Sequence, residues 1–217
     1  MSKKIGFIGL GTMGLPMAKN LMKKNGQLMV SDLVDAPKAE MKELGAEIAA
    51  DNRQIAEECD IMFLSLPTVR AVEMVVTGEG GLLDYVTKGK VIVDTSTIGY
   101  SLSRKISETA KEKGVCYVDC PISGGAGRAA SGELSIICGA TLEELKKAEV
   151  SRLIDMIGSS AHYTGVRGGG VALKIINNML SKSILYADGE ATTYTVTLNN
   201  SADEAPTTTA GYESVAG

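Results

Sequence analysis

Apolar residues in this chain come in short blocks, separated by stretches with helical spacing, and the alternation runs through the first 160 residues or so. Residues 5–8 read as a buried strand. Residues 15–24 read as a helix, with Pro16 in its first turn and Gly26 just past its end. Further strands are predicted over 27–31, 46–50, 61–66, 91–94, 115–119 and 134–138. Helices are predicted over 35–44, 54–58, 69–76 and 101–113, and another starts at the capping box formed by Thr141 and Glu144. A glycine-rich loop is expected over 123–132. Strands apolar on both faces, alternating with helices through short connections, imply a parallel sheet covered on two sides. Right-handed crossovers make such a sheet doubly wound. The fold class is therefore α/β, Rossmann-like, with a mostly parallel sheet.

The pattern changes near the end. One long helix is predicted over 171–190. Residues 192–217 hold seven threonines and neither lysine nor arginine, and 201–217 read as loop or disorder. The expected organisation is an α/β domain over 1–163, a linking helix and the start of a helical region over 164–191, and an atypical Thr-rich tail over 192–217.

Composition sharpens this picture in a few places. Hydrophobic residues make up 44% and charged residues 22%, which is ordinary globular usage. Glycine is in excess, at 25 of 217 residues against a typical ~7%. The formal net charge of −4 argues against a nucleic-acid or membrane-surface partner, because both need a concentrated basic face. No stretch of 18 apolar residues is present to span a membrane. Cys59, Cys116, Cys120 and Cys138 contain no CxxC pair, and His162 is the sole histidine, so no metal site is expected. Free thiols fit a reducing cytoplasm.

Some of the excess glycine has a chemical role. Gly9-Leu10-Gly11-Thr12-Met13-Gly14 follows a predicted strand and opens a predicted helix. In that context GxGxxG is a dinucleotide-phosphate loop. Gly9 permits the tight turn, Gly11 lets the pyrophosphate approach the backbone, and Gly14 lets helix and strand pack closely. The helix N-terminus offers free N–H groups to the phosphates. Asp32 ends the second strand, 18 residues after Gly14, where a carboxylate accepts the adenosine ribose hydroxyls and repels a 2′-phosphate. No arginine follows it, so NAD is favoured over NADP.

Three further segments stand beside this loop. They are Asp94-Thr95-Ser96-Thr97, Asp119-Cys120-Pro121-Ile122-Ser123-Gly124-Gly125 with its continuation to Leu134, and Gly165-Val166-Arg167-Gly168-Gly169-Gly170 leading into Lys174-Ile175-Ile176-Asn177-Asn178. Taken together and in this order, they resemble the β-hydroxyacid dehydrogenase family, which includes 3-hydroxyisobutyrate dehydrogenase and tartronate semialdehyde (2-hydroxy-3-oxopropionate) reductase. The resemblance implies Lys174 as the catalytic lysine and Asn178 as its supporting asparagine. It puts Ser123, Gly124 and Gly125 at the substrate carboxylate, and Leu66, Pro67 and Thr97 at the nicotinamide side of the cofactor. It also implies a small anionic hydroxy-acid substrate and a homo-oligomer. Family members continue into an all-helical C-terminal domain, whereas here the resemblance fades after about Ala191, so truncation in that domain is expected.

The residues themselves agree with these roles. Ser123 to Gly125 offer a hydroxyl and consecutive backbone N–H groups, which suit a carboxylate. Lys174 and Asn178 are four apart on a helix and share a face, with Asn177 beside them as another partner. A desolvated lysine can hold the hydroxyl proton that hydride transfer requires. Asp119 suits fixing a loop better than acid–base work, and Arg128 suits either a second acidic group on the substrate or water. Two other readings stay open: a non-catalytic NAD-binding fragment, and a 6-phosphogluconate dehydrogenase-like enzyme. Against the second, Asn177 stands where that group usually has histidine.

Overall fold

The computed structural model describes residues 3–184, 194–198 and 208–212. The chain divides into two compact units, Met1–Ile175 and Ile176–Gly217. The first unit opens with β1 (Ile5–Ile8), α1 (Gly14–Asn25), β2 (Met29–Ser31), α2 (Asp35–Glu43), β3 (Glu47–Ile48), α3 (Asn52–Glu58) and β4 (Ile61–Leu64). It continues with α4 (Val69–Thr77), α5 (Leu82–Tyr85), β5 (Val91–Asp94), α6 (Tyr100–Glu112) and β6 (Cys116–Asp119). Next come β7 (Ile122–Ser123), α7 (Gly125–Ser131), β8 (Leu134–Cys138), α8 (Leu142–Lys147), α9 (Ser151–Ile157) and β9 (Gly158–Tyr163). Helix α10 (Gly169–Ile184) starts in this unit, and the division between units falls within it.

Six strands form one wholly parallel sheet in the order β3-β2-β1-β4-β5-β6. This is the expected doubly wound arrangement. Its strand order reverses between β1 and β4, and the crevice outside their C-terminal ends is where such sheets take ligands. The period of two explains why the strands read as unbroken apolar runs. Phe7, Phe63, Val93 and Val118 point into a core shared with α1, α9 and β8. Their neighbours Ile8, Met62, Ile92 and Tyr117 point into the opposite core, shared with α3, α4 and α6. Phe7 and Phe63 are register partners, and their rings stack with centroids 6.0 Å apart.

The capping box at α8 forms as expected, with Thr141 and Glu144 each accepting from the other's backbone N–H. Other elements differ from the sequence reading. Residues 125–131 form α7, not loop. Three alanines sustain the turn, Ala129 is buried, and Gly132 closes it in a left-handed conformation at φ 73°. The α1 side chain of Asn20 donates to the α7 carbonyls of Ala129 at 2.8 Å and Ala130 at 3.3 Å, fixing α7 on the domain. The hydrophobic pattern marks neither strand β9 nor helix α5. Strand β9 carries Ser159, Ser160 and His162, so no apolar pattern marks it; it is held by parallel pairing to β8, which also pairs antiparallel with β7.

In the second unit, β10 (Tyr194–Leu198) and β11 (Thr208–Tyr212) pair antiparallel, with Thr197 opposite Thr209 and Tyr194 opposite Tyr212. Residues 208–212 are therefore strand where loop was expected: β-branched threonines suit a pleated pair even when their polarity hides the pattern. The predicted extension of the long helix over 185–190 lies outside the described residues, as do most of the remaining tail positions.

Among the described residues no helix is long and apolar enough to cross a membrane. Among them, too, no group of three or more His, Cys, Asp and Glu side chains is placed to hold a metal ion.

Candidate active site

Five loops leave the C-terminal ends of the parallel strands, and each carries residues singled out by the sequence. After β1, Gly9 takes φ 95°, a left-handed conformation open to glycine. A side chain there would strike Ser65 O at 2.3 Å. A Cβ on Gly14 would lie 1.8 Å from Gly9 O, so α1 packs directly on the turn. Gly11 differs: a Cβ there would meet nothing within 4 Å. The first and third glycines thus serve the fold, while the second borders open space beside the start of α1. That is the cradle an NAD pyrophosphate needs, and these residues fit the group. Thr12 is exposed at the same turn, Met13 precedes α1, and Leu10 is buried.

Asp32, after β2, accepts Leu10 N–H at 2.5 Å on one carboxylate oxygen and Val34 N–H at 2.7 Å on the other. It therefore ties the phosphate loop to the start of α2. A carboxylate has about four lone-pair sites, so two inward bonds leave capacity for ribose hydroxyls.

After β4 and β5 come Leu66, Pro67 and Thr97. Pro67 and Thr97 are exposed, and Leu66 is half-buried. The loops are joined by a chain of hydrogen bonds that sequence reasoning missed. Leu66 N–H donates to Ser96 Oγ at 2.9 Å, Ser96 N–H donates to Asp94 Oδ1 at 2.9 Å, and Tyr117 Oη donates to Asp94 Oδ2 at 2.7 Å. Asp94 is 1% exposed, and burial pushes its carboxyl up to about 6 against the opposing pull of these donors. The same burial, with Asp94 alongside, drives the Tyr117 phenol well above its ordinary value. The one signal in the sequence was a carboxylate ending an otherwise apolar strand.

Asp119 ends β6 and is also buried. Its carboxylate accepts Gly168 N–H at 2.8 Å and Val171 N–H at 2.9 Å. It thereby satisfies the N–H of Gly168, just before α10, and that of Val171 in its first turn, which has no partner within the helix. Burial raises its pKa and these two bonds oppose the rise. Close packing makes room for it, since a Cβ on Gly170 would lie 2.8 Å from Asp119 O and one on Gly139 would lie 1.9 Å from Oδ1. Arg167 donates to Gly139 O at 2.9 Å and pairs with Glu144, securing the same junction. Asp119 is thus a structural clamp, as expected, acting on a helix start more than on its own loop.

Lys174 stands one turn along α10 from Val171 and is 8% exposed. Its Nζ donates to Ser123 Oγ at 3.1 Å. Burial lowers its pKa, because the charged form loses its hydration. The structure thus brings Lys174 and Ser123 together, 51 residues apart in sequence. Gly124 and Gly125 follow Ser123 with φ 131° and 72° and are exposed. Asn177 and Asn178 lie on α10 beyond the first unit, and Asn178 is exposed.

Residues 4–165 match the NAD-binding domain of 6-phosphogluconate dehydrogenase. The chain is 42% identical over 179 residues to 2-(hydroxymethyl)glutarate dehydrogenase of Eubacterium barkeri, covering 82% of this chain and 59% of that protein. It is 37% identical over 187 residues to mitochondrial 3-hydroxyisobutyrate dehydrogenase of Mus musculus, covering 86% of this chain and 55% of the relative. Among solved structures, the 3-hydroxyisobutyrate dehydrogenase of Mycobacterium tuberculosis with L-serine superposes with a TM-score of 0.74 at 27% identity, over 83% of this chain and 60% of that one. The chain spans little more than half the length of these curated relatives.

Proposed function

We propose that this chain, which belongs to the family of NAD-binding domains found in 6-phosphogluconate dehydrogenase, carries the cofactor site and the proton-handling lysine of a hydroxy-acid dehydrogenase. The reaction is hydride transfer between NAD and a small 3-hydroxy acid or its semialdehyde. The names of the relatives, both dehydrogenases of hydroxy acids, support this class. The observation that carries it is the buried Lys174, with its Nζ 3.1 Å from Ser123 Oγ and its charge penalised by burial.

The Gly9–Gly14 cradle would hold the pyrophosphate of NAD, and the bound cofactor would supply a hydride acceptor or donor for a carbinol carbon. The chain's own residues do the rest. In oxidation neutral Lys174 takes the hydroxyl proton onto Nζ as the C–H electron pair leaves carbon; in reduction the ammonium returns that proton to the carbonyl oxygen. Ser123 Oγ and the N–H groups of Gly124 and Gly125 hold the substrate carboxylate. Leu66, Pro67 and Thr97 border the nicotinamide, Asp32 takes the adenosine ribose and disfavours NADP, and Asn178 orients the hydroxyl or the lysine. The four free thiols fit a reducing compartment, the cytosol among them.

The test is a fluorescence titration with NADH and NADPH, followed by turnover of wild type and Lys174→Ala. Saturable binding that prefers NADH, with turnover falling at least about 100-fold in the variant at unchanged NADH affinity, is expected. Turnover retained in Lys174→Ala would remove the lysine from the chemistry. NADH binding without wild-type turnover would favour a cofactor-binding module.

A further inference from the structure

Most arginines of the described residues are already engaged. Arg53 and Arg104 pair with glutamates one turn along their own helices, Arg152 donates to Asn25, and Arg167 is held by Gly139 O and Glu144. Arg70, on α4, and Arg128 have no such partner among the described residues, and Arg128 adjoins the Ser123–Gly125 loop. It sits on α7, exposed, with no side-chain hydrogen bond or ion pair among the described residues. Its stem is nevertheless placed. It lies across Gly124, where an added Cβ would come within 2.8 Å of Arg128 Cδ and 3.0 Å of Arg128 Cβ. Only a residue without a side chain at 124 lets the arginine lie there. The backbone beneath is fixed by Asn20 and by buried Ala129. The surroundings are open: a Cβ on Gly125 or on Gly127 would meet nothing within 4 Å.

Two basic side chains therefore lie against successive residues. Lys174 Nζ reaches Ser123 Oγ, and the Arg128 stem covers Gly124, whose Cα is about 3.8 Å from that of Ser123 across a trans peptide. No acidic residue occupies the first turn of α7 to neutralise either. Ser123 Oγ and the N–H groups of Gly124 and Gly125 already serve one carboxylate and Lys174 is committed to the hydroxyl proton, so a second anionic group is what the Arg128 guanidinium can serve. Guanidinium binds carboxylate in a planar two-bond fork, whereas a solvated surface arginine needs no seat at all.

We infer that Arg128 is a specificity-determining residue that binds a second carboxylate, so that the substrate is a short hydroxy diacid. This rests on the hydroxy-acid reading of the Lys174–Ser123 site, and deepens it.

The experiment is calorimetric titration of the chain, with and without saturating NADH, by two unreactive probes, glutarate and butyrate. Wild type should bind glutarate about tenfold to a hundredfold more tightly than butyrate, the worth of one charge-assisted fork. In Arg128→Met that ratio should collapse towards one, and Arg128→Lys should restore part of it. Unchanged NADH affinity and melting temperature in both variants would show that α7 still folds. Equal affinity of wild type for the two acids, or a preference that survives Arg128→Met, would overturn the inference while leaving the dehydrogenase reading standing. Binding of NADH but of neither acid would overturn both, because the carboxylate site itself would be absent. The reactive arm compares kcat/KM for a hydroxy diacid and a hydroxy monoacid of equal chain length and should give the same ratio.

Discussion

The carboxylate of Asp119 accepts the backbone N–H of Val171 at 2.9 Å, and through that bond the end of β6 sets where Lys174 stands one turn further along α10. A companion bond from Gly168 N–H occupies the other oxygen. The sheet thus aims the lysine from 55 residues away in sequence (174 minus 119).

Removing this clamp should cost both stability and chemistry. Asp119→Ala leaves two buried N–H donors without an acceptor, at about 1–3 kcal/mol each. A loss of about 2–5 kcal/mol in urea unfolding is expected, with turnover falling further than NADH affinity. Asp119→Asn, which keeps one carbonyl oxygen, should lie between. Wild-type stability in Asp119→Ala would show that α10 starts correctly without it.

The phosphate loop separates folding from binding by position. Gly14→Ala places a Cβ 1.8 Å from Gly9 O and should destabilise the chain by about 3 kcal/mol or more. At Gly11 an added Cβ meets nothing within 4 Å, so Gly11→Val should change stability by no more than about 0.5 kcal/mol, yet weaken NADH binding by at least about tenfold. Paired thermal melts and NADH titrations would check this, and normal NADH affinity in Gly11→Val would contradict the cradle.

Asp94 makes stability depend on pH in a defined direction. Its folded pKa of about 6 lies above the ordinary carboxylate value of 3.8. The protonated form therefore favours folding, and its contribution is full below about pH 4 and lost as pH rises through about 6. Asp94→Asn keeps an acceptor for Ser96 N–H without the charge. Relative to it, wild type should lose up to about 3 kcal/mol between pH 4 and 7, two pKa units converted to energy. Denaturant unfolding of the two proteins across that range should show the gap growing with pH; a constant gap would refute the assignment.

Lys174 should shape the rate profile. Its pKa is lowered by burial, so the neutral base becomes available below the usual lysine range. Oxidation kcat/KM should rise with pH through that lowered value, and reduction should fall through it. Lys174→Arg, which keeps a charge that does not dissociate in this range, should lose turnover by at least about 100-fold in both directions. A wild-type profile flat from pH 6 to 10 would exclude a titrating lysine.

Much of this protein was written locally. The Gly9–Gly14 loop, the apolar strands and the capping box at Thr141 are decided within a few residues, by φ preferences, a period of two and a cap three residues away. Such features survive in a one-dimensional reading. Strand β9 and helix α7 did not, because Ser159, Ser160 and His162 are held by pairing to β8, and residues 125–131 by seating against α1. The partners of the buried carboxylates also escaped. Asp94 and Asp119 each end an apolar strand, but only folding brings Tyr117 to the first and the start of α10 to the second. Residue types alone mark what is chemically able: a phosphate loop, Lys174, Ser123 and Arg128. Tertiary structure decided which of them meet, because desolvation, and with it the lowered pKa of Lys174 and the raised pKa of Asp94, exists only where distant segments exclude water together.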